Sequence, residues 1–373
     1  MSNRADIAAE LVWPQMQWPG VPSVYLDINH FIYMARSRAG NPNVPTENAH
    51  LLTALERAVD NHQVVVPLSL QHLWEINKSK NPQRARVAAL MERLSGLQYI
   101  LGPKPLAQLE IASGVAAIAG EPPPSWQIPL VGFGSGQAYG IKIAFKVQDS
   151  GCENVTDAVR KLVGSAELDS LFLDGRMQFE QIMLRGPTDA QDADLRANYG
   201  YRPESVDVGM DSRLAWEVES VSILDKNPEL RAGRLRDFVT GREVIGEWVD
   251  LINRHLLERV SDGLSWVDMT PDRWIALITA MPHVQVAISV KTAYHKDPRR
   301  SWKVNDVFDI DALSTAFAYC DAVMTDNALR HALQSRQDIH SFGTHLAGTP
   351  AELTAWLAHP TFRSDGVTRG DCA

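Results

Sequence analysis

The sequence predicts an α/β fold, a central parallel sheet in two parts separated by a large, mainly helical insertion. Three short runs carry the sheet: Ser23-Val24-Tyr25-Leu26-Asp27, Gln63-Val64-Val65-Val66-Pro67-Leu68 and Asp321-Ala322-Val323-Met324-Thr325-Asp326. Each is continuously apolar rather than alternating, the pattern of strands buried on both faces. Elsewhere the apolar residues recur at helical spacing, and across residues 101–290 that spacing dominates.

The first run is entered through Pro22 and ends at Asp27. Residues 46–61 then read as a helix, with Thr46 as cap and Leu51, Leu52, Leu55 and Val59 as one stripe. After the second run, Ser69 is placed to cap a helix carrying Leu70, Leu73, Trp74 and Ile76. Residues 120–140 are rich in Pro and Gly, and 132–136 read as a flexible connection. Helical patterns follow at 166–184, 210–223, 230–259 and 271–280, and a strand signal returns at 284–290. Ile310, Leu313, Phe317 and Cys320 share one helical face, with Asp309 positioned as its cap. The third run comes next, and 350–357 read as a last short helix. The expected organisation is 1–100 and 291–346 as two parts of the α/β domain. Residues 101–290 are the insertion, and 347–373 a C-terminal helix and tail.

A chain of 373 residues suits two domains or one interrupted domain. Lys plus Arg number 36 against 45 Asp plus Glu, a net charge of −9. Such a surface does not coat nucleic acid everywhere, but it leaves room for a local basic patch. Cys152, Cys320 and Cys372 are too scattered for a disulfide framework or a zinc ribbon and suit a reducing cytosol. No run approaches the ~18–20 consecutive apolar residues of a membrane span. Residues 1–10 lack the apolar core of a signal peptide. The expected location is cytoplasmic, with no membrane partner.

Asp27 and Asp326 close the first and third strands. Ligands of open parallel sheets sit beyond the carboxyl ends of the strands, so both acids are expected in one crevice. Glu75, in the second turn of the helix after the second strand, falls near the same edge, as does Asp309. Uncompensated carboxylates brought this close raise one another's pKa. A hard divalent cation, Mg²⁺ or Mn²⁺, resolves that conflict. Such cations usually serve phosphate chemistry, so metal-assisted phosphodiester hydrolysis is the expected reaction.

At these residues the chain resembles the PIN-domain nucleases. The likeness lies in Val24-Tyr25-Leu26-Asp27-Ile28-Asn29, in Pro67-Leu68-Ser69 running to Glu75, and in Asn305-Asp306-Val307-Phe308-Asp309-Ile310-Asp311. It ends with Tyr319-Cys320-Asp321-Ala322-Val323-Met324-Thr325-Asp326-Asn327. The resemblance implies a three-layer α/β/α sandwich around a parallel sheet, here interrupted by the insertion. It also implies three or four acids binding Mg²⁺ or Mn²⁺, and endonucleolytic cleavage of single-stranded RNA, leaving 5′-phosphate and 3′-hydroxyl ends. Members act as toxins of toxin–antitoxin pairs or as RNA-processing ribonucleases. Carried over, the catalytic and metal-binding acids are Asp27, Glu75, Asp309 and Asp326. Asp311 or Asp306 is an alternative third acid, and Asn327 an alternative to Asp326. DNA is the alternative substrate; a second copy of the chain or an inhibitory protein is a further partner. Two other functions compete: an inactive RNA-binding scaffold, and a phosphatase of the haloacid-dehalogenase kind. The latter wants a second Asp where Asn29 stands.

Two basic segments adjoin the acids. One carries Lys78, Lys80 and Arg84. The other carries Lys291, Lys296, Arg299, Arg300 and Lys303, with Tyr294, His295 and Trp302 interleaved. Cations grip phosphates and aromatic rings stack on unpaired bases, so these cations and Asn29 are the candidate substrate contacts. Gly132-Phe133-Gly134-Ser135-Gly136 lacks the Lys of a phosphate loop, and Ser135 does not fit a nucleophile elbow. No His-Glu-x-x-His motif is present.

Overall fold

The computed structural model describes residues 11–78, 82–141, 145–151, 153–200, 202 and 205–363. Val24–Leu26 is the middle of a parallel array. It pairs with Ala322–Met324, Val24 opposite Ala322 and Leu26 opposite Met324, and that strand pairs in turn with His345–Ala347. On the other side, Val24 N donates to Val65 O at 2.8 Å and Leu68 N to Gln98 O at 2.9 Å. These bonds bring the 63–68 segment and then Gln98–Ile100 alongside, also parallel. Numbered along the chain, the five members lie in the order 3-2-1-4-5. The 63–68 run, expected as a full strand, makes only bridges at Val65 and Leu68. Pro67 has no N–H to give to a ladder.

Successive strand residues face two different cores. Val24, Leu26, Ala322 and Met324 pack with Phe31, Leu51, Leu90 and Leu353, from the helices Ile28–Arg38, Glu47–Asp60, Gln83–Ser95 and Pro350–Leu357. Tyr25 and Val323 pack with Leu106, Val290 and Leu313, from Pro103–Ala119, Pro282–Lys296 and Val304–Tyr319. Burial on both faces is why these strands read as unbroken apolar runs. At the opposite sheet edge, buried Asp321 clips the two central strands. Its Oδ2 accepts from Ser23 N at 2.8 Å and its Oδ1 from Arg363 N at 2.9 Å.

Residues 101–290 are largely helical and build a third core around Ile111, Val115, Leu256 and Leu277. Glu110 ties helix Pro103–Ala119 to the helices Val304–Tyr319 and Pro282–Lys296, accepting from Tyr319 Oη at 2.6 Å and from His283 N at 3.0 Å. Three expectations change here. The 284–290 segment lies inside the helix Pro282–Lys296. Val284 and Ile288 enter the third core, while Val286 and Val290 enter the second. Two interleaved i,i+4 pairs on different faces thus imitate strand alternation. Residues 132–136 are not a loose connection, because Val131–Phe133 pairs antiparallel with Gln98–Ile100. Asp309 is not a cap either. The helix Val304–Tyr319 starts a turn earlier, with Asp306 accepting from Lys303 N at 2.7 Å. Among the described residues no single helix is long and apolar enough to cross a membrane. One bent pair, Pro271–Ala280 with Pro282–Lys296, meets length and composition alone, and most of its second helix is buried.

Candidate functional site

Asp27 stands at the carboxyl end of Val24–Leu26 and caps Ile28–Arg38, its Oδ1 accepting from Asn29 N at 2.9 Å. Asp326 does the same beyond Ala322–Met324, accepting from Leu329 N at 3.0 Å. The two strands are neighbours where the strand order reverses, the place ligands occupy in open α/β sheets. Glu75 arrives from the second turn of Leu70–Lys78, and Asp309 from the second turn of Val304–Tyr319. Asp27, Glu75 and Asp309 line one pocket together with Tyr25, Gln71 and Thr325. Asp326 is outside that lining but near enough for its charge to act on both Asp27 and Asp309.

All four acids are half-buried. Burial pushes the Asp27 carboxyl up to about 6, although its hydrogen bond from the Asn29 backbone favours the anion; the charge of Asp326 raises it further. Burial also lifts Glu75 to about 7, with Asp27 adding and Lys78 opposing. Asp309 rises furthest, to about 8, through burial and then the charges of Asp27, Glu75 and Asp326. The acids therefore feel one another across the pocket. Among the described residues, no three acidic, imidazole or thiol groups close around a common point. Oxygen donors whose charges are mutually unfavourable nonetheless fit a hard cation that keeps several waters and takes few protein ligands. Asp27, Glu75, Asp309 and Asp326 are the side chains that would hold it.

His72, one turn before Glu75, locks this helix to the sheet. Ser69 N donates to its Nδ1 at 2.8 Å, which leaves Nε2 to donate to Leu26 O, also at 2.8 Å. The ring lies against Tyr25 and Phe31, and burial pushes its pKa down to about 4, so it is neutral. Sequence reasoning missed His72 and Gln71. The signal was available: both are polar, and both lie within one turn of Glu75 on a helix otherwise apolar toward the core.

Several expected contacts are placed elsewhere. Asp311 lies two residues past Asp309, on the far side of the helix, where Arg213 binds both of its oxygens. It is not available to the pocket. Asp306 is held by Arg300 at 2.6 Å. Lys291 is buried between Glu217, at 2.8 Å, and Glu243, so it does not reach solvent or a phosphate. Arg84 is buried too, donating to the Asn77 side chain and to the Leu184 and Met183 carbonyls. Tyr294, His295 and Trp302, expected as base-stacking rings, are buried against one another. Arg300 stacks on Tyr294, its guanidinium 3.3 Å from the ring centroid. Asn29, Lys78, Lys296, Arg299 and Lys303 are exposed, with the Lys78 ammonium 4.6 Å from the Phe308 ring centroid. Asn327 is exposed at the first position of the helix that Asp326 caps. Lys80 lies outside the described residues.

The chain thus has an acid-lined crevice at the reversal of a parallel sheet. No protein-family model matches it, and no curated protein or solved structure matches it significantly.

Proposed function

We propose that the protein is a Mg²⁺- or Mn²⁺-dependent endoribonuclease for single-stranded RNA, built on a PIN-like α/β/α sandwich. The reading extends to a cytoplasmic, toxin-like or RNA-processing role. One observation supports it most: acids from four distant elements converge at the strand-order reversal, three of them with carboxyls raised by burial and by mutual charge. When bound there, the cation would offset charge on the phosphate and on the leaving oxygen. The chain's part is to hold that cation through Asp27, Glu75, Asp309 and Asp326, and to fix Asp27 and Asp326 rigidly as helix caps. Hydrolysis adds the oxygen of water to phosphorus and breaks the P–O3′ bond, giving a 5′-phosphate and a 3′-hydroxyl.

The decisive assay is Mn²⁺-dependent cleavage of single-stranded RNA by wild type and by Asp27→Asn. Loss of a ligand charge should lower the rate ~10²-fold or more; an unchanged rate would remove the site from consideration. A second reading, an inactive RNA-binding scaffold, is favoured by the open spacing of the acids. Titration separates the two, because a scaffold takes up no Mn²⁺ at millimolar concentration.

A further inference from the structure

Gln71 is 4% exposed and lines the acid pocket; its carboxamide bonds no other described residue, and its polar atoms are not sealed from the pocket's solvent. Its polar end therefore meets only the water of the pocket, and is free to bond a ligand that enters there. Apart from the Thr325 hydroxyl, the other polar side chains around it are committed or of the wrong kind. Asp27, Glu75 and Asp309 offer acceptors when ionised. The Tyr25 hydroxyl is 3.3 Å from Ser69 Oγ, and the His72 N–H is given to Leu26 O. Among the side chains lining the pocket, the Gln71 amide is the one uncommitted N–H donor.

We propose that Gln71 is a catalytic residue that donates its amide N–H to a nonbridging oxygen of the scissile phosphodiester. This rests on the nuclease reading and names the group that meets the substrate. A phosphodiester carries acceptor oxygens into a pocket that is itself rich in acceptors, so a neutral donor is the missing complement. An amide supplies it with no proton to lose, and its geometry does not change as the pocket acids titrate. As negative charge grows on the phosphoryl oxygens in the transition state, that hydrogen bond strengthens. The amide makes and breaks no covalent bond.

The test compares wild type, Gln71→Met, Gln71→Ala and Asp27→Asn in three measurements. These are Mn²⁺ binding by calorimetry, single-turnover cleavage of a single-stranded RNA oligonucleotide in Mn²⁺, and melting temperature without metal. Gln71→Met should keep the Mn²⁺ affinity of wild type and lose ~10²–10³-fold in cleavage rate. Its melting temperature should stay level, because the substitution removes no hydrogen bond from the fold. A phosphorothioate at the scissile position should slow wild type for one diastereomer and leave Gln71→Met no slower than with the all-oxygen substrate.

Wild-type cleavage by Gln71→Met would overturn the proposal, as would a lowered melting temperature paralleling the loss in both Gln71 variants. Mn²⁺ binding as weak as that of Asp27→Asn would make Gln71 a metal ligand instead, and would overturn it too. A wild type that neither binds Mn²⁺ nor cuts RNA would bring down the nuclease reading first, and the role of Gln71 with it.

Discussion

His72 hands its Nε2 proton to the carbonyl oxygen of Leu26, the residue immediately before Asp27. One hydrogen bond therefore couples the helix of Glu75 to the strand end of Asp27. His72→Ala leaves that buried carbonyl unpaired and opens a cavity between Tyr25 and Phe31, so destabilisation of about 3 kcal/mol is expected. Urea unfolding measures it. Mn²⁺ affinity should fall as well, and a variant that binds Mn²⁺ as wild type does would show that the coupling is immaterial to the site.

The pocket acids make stability depend on pH in a definite direction. Asp27, Glu75 and Asp309 sit at about 6, 7 and 8 in the folded chain. Their unfolded values are about 4. The folded state holds the extra protons, so this contribution is full below about pH 4 and is lost as pH rises through the folded values. In chelator, the melting temperature should drop between about pH 5 and about pH 8, and Asp309→Asn should flatten the slope. Mn²⁺ should restore more at the alkaline end, where protons no longer compete for the ligands. Equal slopes in wild type and variant would contradict the coupling.

Lys291 belongs to the interior. Removing its charge strands Glu217 and Glu243 without a cation, so Lys291→Ala should be destabilised by about 3–5 kcal/mol. Adding Glu217→Gln and Glu243→Gln should recover part of that loss. The quantity to follow is the denaturation midpoint of the three variants, and a near-neutral Lys291→Ala would refute the buried pairing.

RNA binding should depend instead on the cations left in water. Lys296, Arg299 and Lys303 are exposed beside the helix that carries Asp309. Every phosphate-gripping cation replaced by alanine should lower the slope of log affinity against log salt by ~0.7. Fluorescence anisotropy with a labelled RNA across a salt series reads this. A slope that survives the triple variant would place the RNA elsewhere.

The buried strands were legible because a segment enclosed on both faces has no polar side, and an acid directly after it marks the strand end. That put Asp27 and Asp326 at one edge of the sheet on sequence grounds alone. Lys291 was not legible. A cation on a helix looks the same whether water or a distant carboxylate faces it, and Glu217 and Glu243 come from other helices. The 284–290 stretch misled for a related reason: a helix wedged between two cores shows apolar residues at every second position. Asp309 and Asp311 could not be separated by counting alone, since the helix begins at Val304, earlier than its acids suggest. Once that start is known, rotation places one toward Glu75 and the other toward Arg213.

Ser23 and Asp321 meet across 298 positions of chain, and the strands they begin are direct neighbours. Until the 321–326 segment joins, the crevice holds Asp27, Glu75 and Asp309 but lacks Asp326 and the strand that carries it. Folding must wait for that late segment to add itself to a waiting edge, which is slow for so distant a pairing. On the proposed function, the RNA-cutting site is complete only once that long-range pairing has formed.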